Sequence, residues 1–143
     1  MSDEVARLHA VIPIMAELRV TDYESSDQCR NLGYARGAFG DAGQESCARD
    51  GTREFDAVAM ADHARLAGAI QAAGVGTDRI LTATYEPDGD LETARFRLDG
   101  APFLHFWEYL YDPTGVVPKR NVPGRVDFTQ LGDGWWFVWS PDD

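Results

Sequence analysis

The chain has 143 residues, 44% hydrophobic and 26% charged, a size and balance that predict a single domain over residues 1–143 with one core and no need for a metal or cofactor. Its 24 acidic residues against 13 basic ones leave a net charge of −11. That field repels phosphate backbones, which argues against nucleic acid and anionic membrane surfaces; it would steer a basic protein or a cationic ligand inward, although acidity of this kind is more often a solubility device.

The start, Met1-Ser2-Asp3-Glu4, lacks the basic and apolar segments of a secretory signal, and no run approaches the roughly 20 apolar residues of a membrane span. As written, the chain reads as cytoplasmic. Ser2 is a good N-cap, and Val5, Leu8, Ile12 and Met15 recur at three and four residues, with Val11, Ile14 and Leu18 widening the face; this predicts an amphipathic helix. Pro13 lacks an amide and clashes with the carbonyl of His9, so a kink or break is expected there.

From Thr21 to Arg53 the periodicity weakens, and Gly33, Gly37, Gly40, Gly43 and Gly51 punctuate a short strand or irregular segment. Some pairing near Arg30 to Phe39 is expected, because so long a structureless loop is unusual in a compact domain. Cys29 and Cys47 lie here. Bridged, they would make the protein secreted or cell-surface; as two free thiols they would place it in the cytosol.

Asp56 reads as the N-cap of a helix from Ala57 to about Ala73, closed by Gly74. Phe55 and Met60 are spaced for a hydrophobic staple, and Val58, Ala59, Leu66, Ala69, Ile70 and Ala73 mark the apolar face. After Gly76 the period changes to two. Strands are predicted at Arg79 to Glu86, Leu91 to Leu98, Pro102 to Tyr111, Val126 to Leu131 and Trp135 to Ser140, with turns at Pro87 to Asp90 and Gly132 to Gly134. With the helices placed earlier, the predicted class is α+β: N-terminal helices packed on a C-terminal five-stranded antiparallel meander.

No glycine-rich phosphate loop, zinc-binding His pair on a helix, nucleophile elbow or C-x-x-C occurs. His9, His63 and His105 share no short spacing, so no metal site is predicted. Asp62 stands in the apolar stripe of its helix and must be paired, hydrogen-bonded or protonated. It is either a structural carboxylate accepting an arginine such as Arg36, or backbone amides of the irregular segment, or an acid or base lining a pocket. His63, about 100° away around the helix, reads as the edge of the buried face. The odd separation of His105 and Glu108 sends them to opposite faces of a strand. Lys119, Arg120 and Arg125 read as a solvated, proline-stiffened connector rather than an anion loop. Asp88, Asp90 and Glu92 read as a turn with solvated acids rather than a calcium loop.

The aromatics are the least random feature: 12 of 16 follow Gly76. Trp107, Tyr109 and Tyr111 share a face with His105, and Trp136 lies opposite Trp135, Phe137 and Trp139, so both faces of the late sheet are sticky. Two readings follow. The first is a non-enzymatic interaction domain that binds a protein partner, or itself, through an aromatic sheet face. The alternative is a small-molecule or enzymatic pocket between the second helix and the sheet, built on Asp62 and a histidine. Cystatin-like and NTF2-like architectures hold ligands in that place, although no residue motif here carries membership of either.

Overall fold

The computed structural model describes residues 3–26, 29–41, 51–74, 80–98, 101 and 105–141. Among them the chain is mostly β. One eight-stranded antiparallel sheet with three accompanying helices replaces the expected α+β plan of N-terminal helices on a C-terminal five-stranded meander.

The first half supplies α1 (Asp3–His9) and α2 (Ile12–Leu18). They separate at Ala10 and Val11, which puts Pro13 in the first turn of α2, where its missing amide breaks no helical bond. Helix α3 (Ala57–Ala73) starts at Asp56, whose carboxylate accepts the Ala59 amide at 2.8 Å, and closes on Gly74 at a φ of 67°. The staple does not form. Phe55 packs on Phe39 and His63 instead, while Met60 is 47% exposed.

The glycine-rich stretch holds three strands, β1 (Asp22–Ser25), β2 (Arg30–Tyr34) and β3 (Gly37–Gly40). Two of its glycines act as packing devices. A Cβ at Gly33 would lie 2.1 Å from the Asp22 carboxylate, and one at Gly40 would lie 2.7 Å from Asn31 Oδ1. Only a bare backbone admits those side chains, so residues that read as breakers are what lets these strands approach.

The second half supplies β4 (Ile80–Tyr85), β5 (Leu91–Arg97), β6 (His105–Tyr111), β7 (Asp127–Gly132) and β8 (Trp135–Pro141). The order across the sheet is β3-β2-β1-β4-β5-β6-β8-β7, so β1 pairs with β4 and joins the two halves. The last hairpin is inverted relative to a meander: β8, not β7, lies against β6. Side-chain chemistry explains this choice. β8 carries large apolar groups on both faces and belongs inside a sheet, whereas Asp127, Thr129 and Gln130 of β7 are exposed and suit an edge. At the opposite edge, Arg53 exchanges backbone bonds with Ala38 and Gly40. Beside β7, Val122 exchanges backbone bonds with Val126 and Asn121 accepts the Phe128 amide; among the described residues no other strand pairs with the outer side of β7.

One core unites these elements: Val5, Leu8 and Met15 from α1 and α2, Leu66 and Ile70 from α3, and Leu32, Leu81, Phe96 and Trp135 from the sheet. The buried stripe of α3 is Ala59, His63, Leu66, Ile70 and Ala73. This reverses the expected placing of two neighbours. His63 is 5% exposed, stacked on Tyr23 at 5.0 Å with Nε2 3.3 Å from the Glu24 carbonyl, while Asp62 sits half-buried at the stripe's edge.

Burial holds the His63 imidazole below its ordinary value, partly opposed by the Glu24 carbonyl. The folded state therefore resists protonation more than the unfolded chain does. The resulting stability is present above about pH 6.5 and is lost as pH falls through the folded value. Urea midpoints measured at about pH 7.5 and about pH 5.5 should fall more for the parent than for His63→Leu. An equal fall in both would remove His63 as the cause.

Candidate functional site

Strands β6 and β8 pair along their full lengths, with His105 opposite Pro141, Trp107 opposite Trp139, Tyr109 opposite Phe137 and Tyr111 opposite Trp135. Directly opposed residues share a face, so these rings form one ladder. Ring centroids are 5.0 Å apart for Tyr111 and Trp135, 6.0 Å for Tyr109 and Phe137, 6.2 Å for Trp107 and Phe137, and 5.5 Å for His105 and Trp139. Each end is tied by an indole. Trp135 donates to His9 Nδ1 at 3.0 Å and Trp139 to His105 Nδ1 at 2.8 Å, which puts the ring proton of each accepting imidazole on Nε2.

Helix α1 divides the ladder. Its Glu4 accepts the Tyr109 hydroxyl at 2.7 Å and its His9 meets Tyr111 edge-on at 5.2 Å, so α1 packs on the inner half, where Trp135 is fully buried and Tyr109 and Tyr111 are half-buried. Burial, reinforced by Glu4, pushes the Tyr109 phenol up to about 12. The outer half, Trp107, Phe137, Trp139 and His105, is likewise half-buried. There the loop from Asn121 to Val126 closes on itself through the Val122 and Val126 bridge, and Asn121 accepts the Phe128 amide at 2.8 Å. Between this loop and Trp139 lies a hollow of about 430 Å³, with Asp127 on its rim. Asp127 and Thr129 stand opposite Trp139 and Phe137 and are exposed on the edge strand. The result is an aromatic floor, a carboxylate rim and a strand edge that the loop covers as far as Phe128.

The expected site residues are thus distributed over several places. Trp107 and His105 lie on the open half of the ladder, and Tyr109 and Tyr111 lie under α1. Trp136 is on the reverse face, 5.1 Å beneath the Lys119 ammonium. Lys119 is no free connector cation: it pairs with Asp112, a buried carboxylate that also accepts the amides of Val116 and Val117 at 3.0 Å.

Asp62 accepts the Tyr34 hydroxyl at 2.6 Å. Arg36, its expected partner, makes a two-armed pair with Asp56 at 2.9 and 2.8 Å instead. Burial first, then the Asp62 carboxylate, raises the Tyr34 phenol above its ordinary value. The turn after β4 gathers Glu86, Asp88 and Asp90, with ligand atoms within 4.8 Å of one another, around a Gly89 that faces the Arg19 guanidinium. Glu92, expected in that cluster, lies instead 3.5 Å from the Thr84 hydroxyl. Cys29 carries no free thiol; Cys47, the one other cysteine in the sequence, lies outside the described residues.

A second polar arrangement was not foreseen. Arg95, Arg97, Phe106, Glu108 and Thr82 line a hollow on the reverse face. The only sequence signal for it is a pair of arginines two residues apart on the side of β5 away from Ala94 and Phe96. No helix among the described residues is long and apolar enough to cross a membrane. Comparison of the chain with protein-family models, with curated proteins and with solved structures gives no match, so the site is interpreted from its own residues.

Proposed function

We propose that the protein is a non-enzymatic interaction domain that takes up a basic protein segment along β7, with lysine or arginine side chains laid over the open half of the ladder. The observation that supports this reading is the meeting, at one end of the sheet, of half-buried Trp107, Phe137 and Trp139 with an exposed Asp127 on an edge strand that no other strand pairs with beyond Phe128. A guanidinium over an indole gains about 0.5–1 kcal/mol at an exposed site and more once desolvated. Asp127 adds charge complementarity, and an added strand supplies main-chain bonds of no sequence preference. The net charge of −11 steers a basic partner inward and repels a second copy of the chain.

The space between α3 and the sheet supports the alternative less. It is filled by Leu66, Ile70, Leu32 and Phe39, each fully buried, and Asp62 is engaged by Tyr34. A short peptide alternating arginine and valine should give saturable shifts of the Gln130 amide, which follows Phe128 on the outer side of β7, in NMR titrations. Trp139→Ala should weaken binding about tenfold, and about 0.5 M salt should weaken it further. A matched peptide alternating glutamate and valine should not bind. Equal binding of both peptides, or of neither, would end this reading. Light scattering showing a dimer that Trp139→Ala dissolves would replace the partner by a second copy.

A further inference from the structure

One row of side chains crosses the outer end of the sheet. Trp107 on β6 stands opposite Trp139 on β8, and Trp139 stands opposite Asp127 on β7. Directly opposed residues share a face with Cβ atoms about 4.5–5.5 Å apart, so the Asp127 carboxylate rises beside the Trp139 indole. The indole is held in place. Its Nε1 donates to His105 Nδ1 at 2.8 Å, and because His105 belongs to β6 the polar edge of the ring points away from Asp127. Asp127 Oδ2 meets the Thr129 hydroxyl at 3.5 Å, and among the described residues no cation pairs with it.

The wall facing this row is a local turn. Pro123 and Gly124 are its corners, Gly124 at a φ of 75°, and the Arg125 and Val126 amides both return to the Val122 carbonyl, at 2.9 and 3.0 Å. Proline fixes the first corner and glycine admits the positive φ of the second, so this wall is set by neighbours in sequence. Between it and the indole lies the hollow of about 430 Å³. Val122, Pro123 and Val126 form its apolar side, Trp139 its flat side, and Asp127 is the charged residue of its described lining. Arg125 is exposed on the same turn, outside that lining.

We infer that this hollow is an anchor for one arginine side chain, in preference to lysine, of the basic segment proposed for β7; the inference rests on that reading and adds the residue type that the segment must carry. A guanidinium is flat, weakly hydrated and forked. Laid on the Trp139 face, it turns the edge of its fork toward Asp127 in the same row, so stacking and a two-armed carboxylate pair form together. An ammonium is a compact, strongly hydrated point charge that has neither the plane nor the fork. The methylene stem of the arginine lies along the apolar side of the hollow. Quaternary ammonium groups are recognised by aromatic cages, whereas Trp139 is the one ring of the described lining.

The reach is set by the loop. It covers β7 as far as Phe128, so an added strand begins beside Thr129 and Gln130. A side chain of that strand on the ladder's face stands beside Thr129, and its diagonal neighbour Asp127 is about 7–8 Å away, a span that arginine crosses. The hollow lies within the usual range of about 300–1,000 Å³ for ligand pockets and admits one such side chain from the edge.

The test compares two peptides on the full chain, one alternating arginine and valine and one alternating lysine and valine, followed through the Trp139 indole N–H and the Asn121 side-chain amide in NMR titrations. The arginine peptide should bind at least about tenfold more tightly. Asp127→Asn, a change on an exposed edge that should leave the circular dichroism spectrum unaltered, should bring the two affinities within about twofold of each other. Equal affinities in the parent, or a preference that survives Asp127→Asn, would overturn the inference and leave the β7 interface standing. If neither peptide binds, the interface falls, and methylguanidinium, methylammonium and tetramethylammonium then decide the hollow by itself. Saturable shifts of the Trp139 indole N–H by methylguanidinium alone would keep the arginine selectivity. Equal or larger shifts by either ammonium, or no shift by any of the three, would end it.

Discussion

Trp135→Ala is expected to lose about 3–5 kcal/mol of folding stability, a large part of the 5–15 kcal/mol that holds a small domain together. Trp135 is fully buried and lies 5.0 Å from Tyr111 and 5.7 Å from Phe96, ring centroid to ring centroid. Its removal opens a cavity between α1 and the sheet, and it also takes the donor from His9 Nδ1. Two losses therefore add: missing contacts, and an acceptor left under a helix. Trp135→Phe separates them, since it keeps most of the volume and loses only the donor. Trp139→Ala is the internal control. The same substitution on the half-buried end of the ladder should cost markedly less, because solvent already reaches that ring. Urea unfolding followed by far-ultraviolet circular dichroism reads all three variants. Equal losses for Trp135→Ala and Trp139→Ala would mean that α1 does not divide the ladder.

Asp112→Ala should have an effect of similar size. The Asp112 side chain is fully buried and the Lys119 side chain is 13% exposed, so neither charge is replaced by water once its partner is gone. Breaking one side of such a pair costs about 3–5 kcal/mol. Here the amides of Val116 and Val117 also lose their acceptor. Adding Lys119→Met should recover part of the loss, because the stranded charge disappears with it.

The pH dependence has a definite sign. Burial pushes the Asp112 carboxyl upward, but Lys119 and the two amides outweigh it, and the folded value lies below the ordinary carboxylate range. Its stabilising contribution is therefore complete above the unfolded value, near pH 4, and is lost as pH falls through the folded one. Trp136 reports the event, since the loop that holds Lys119 over its ring is the loop being released. A red shift of tryptophan emission in Asp112→Ala at neutral pH is expected. A variant with parent stability and parent emission would show that the loop is held by other contacts.

The legible parts of the fold were those written locally. Helix α3 carries its own N-cap, period and C-cap within Asp56 to Gly74, and the strands after Gly76 show strict alternation between turns, so their bounds follow from neighbours in sequence. The order of those strands does not. Whether β7 or β8 meets β6 depends on which can bear two buried faces, a comparison between segments rather than a property of either. Strands β1 to β3 were hidden for another reason. A glycine read singly is a breaker, and the use of Gly33 and Gly40 becomes visible only once Asp22 and Asn31 are across from them. His63 reads as the edge of the buried face only because Asp62, about 100° away, is set in the stripe, although the spacing of His63 from Ala59 and Leu66 already places it there. At the candidate site the alternation grouped the rings of β6 and β8 correctly by face. It could not say which half α1 would cover, because that depends on a contact between Glu4 and Tyr109, more than a hundred residues apart in sequence.

The seam between β1 and β4 has a consequence for how the chain is born. Everything needed for the first three strands and for α3 leaves the ribosome before Ile80 does, so a nascent three-stranded sheet would present the bare side of β1 until the six residues of β4 follow, about a second or less at about 5–20 residues per second. That interval is when the molecule is most open to mispairing with its neighbours on a polysome. Cells making it quickly would need either slow codons after α3 avoided or a holdase at hand, and a chain truncated after Gly74 should be found in the pellet.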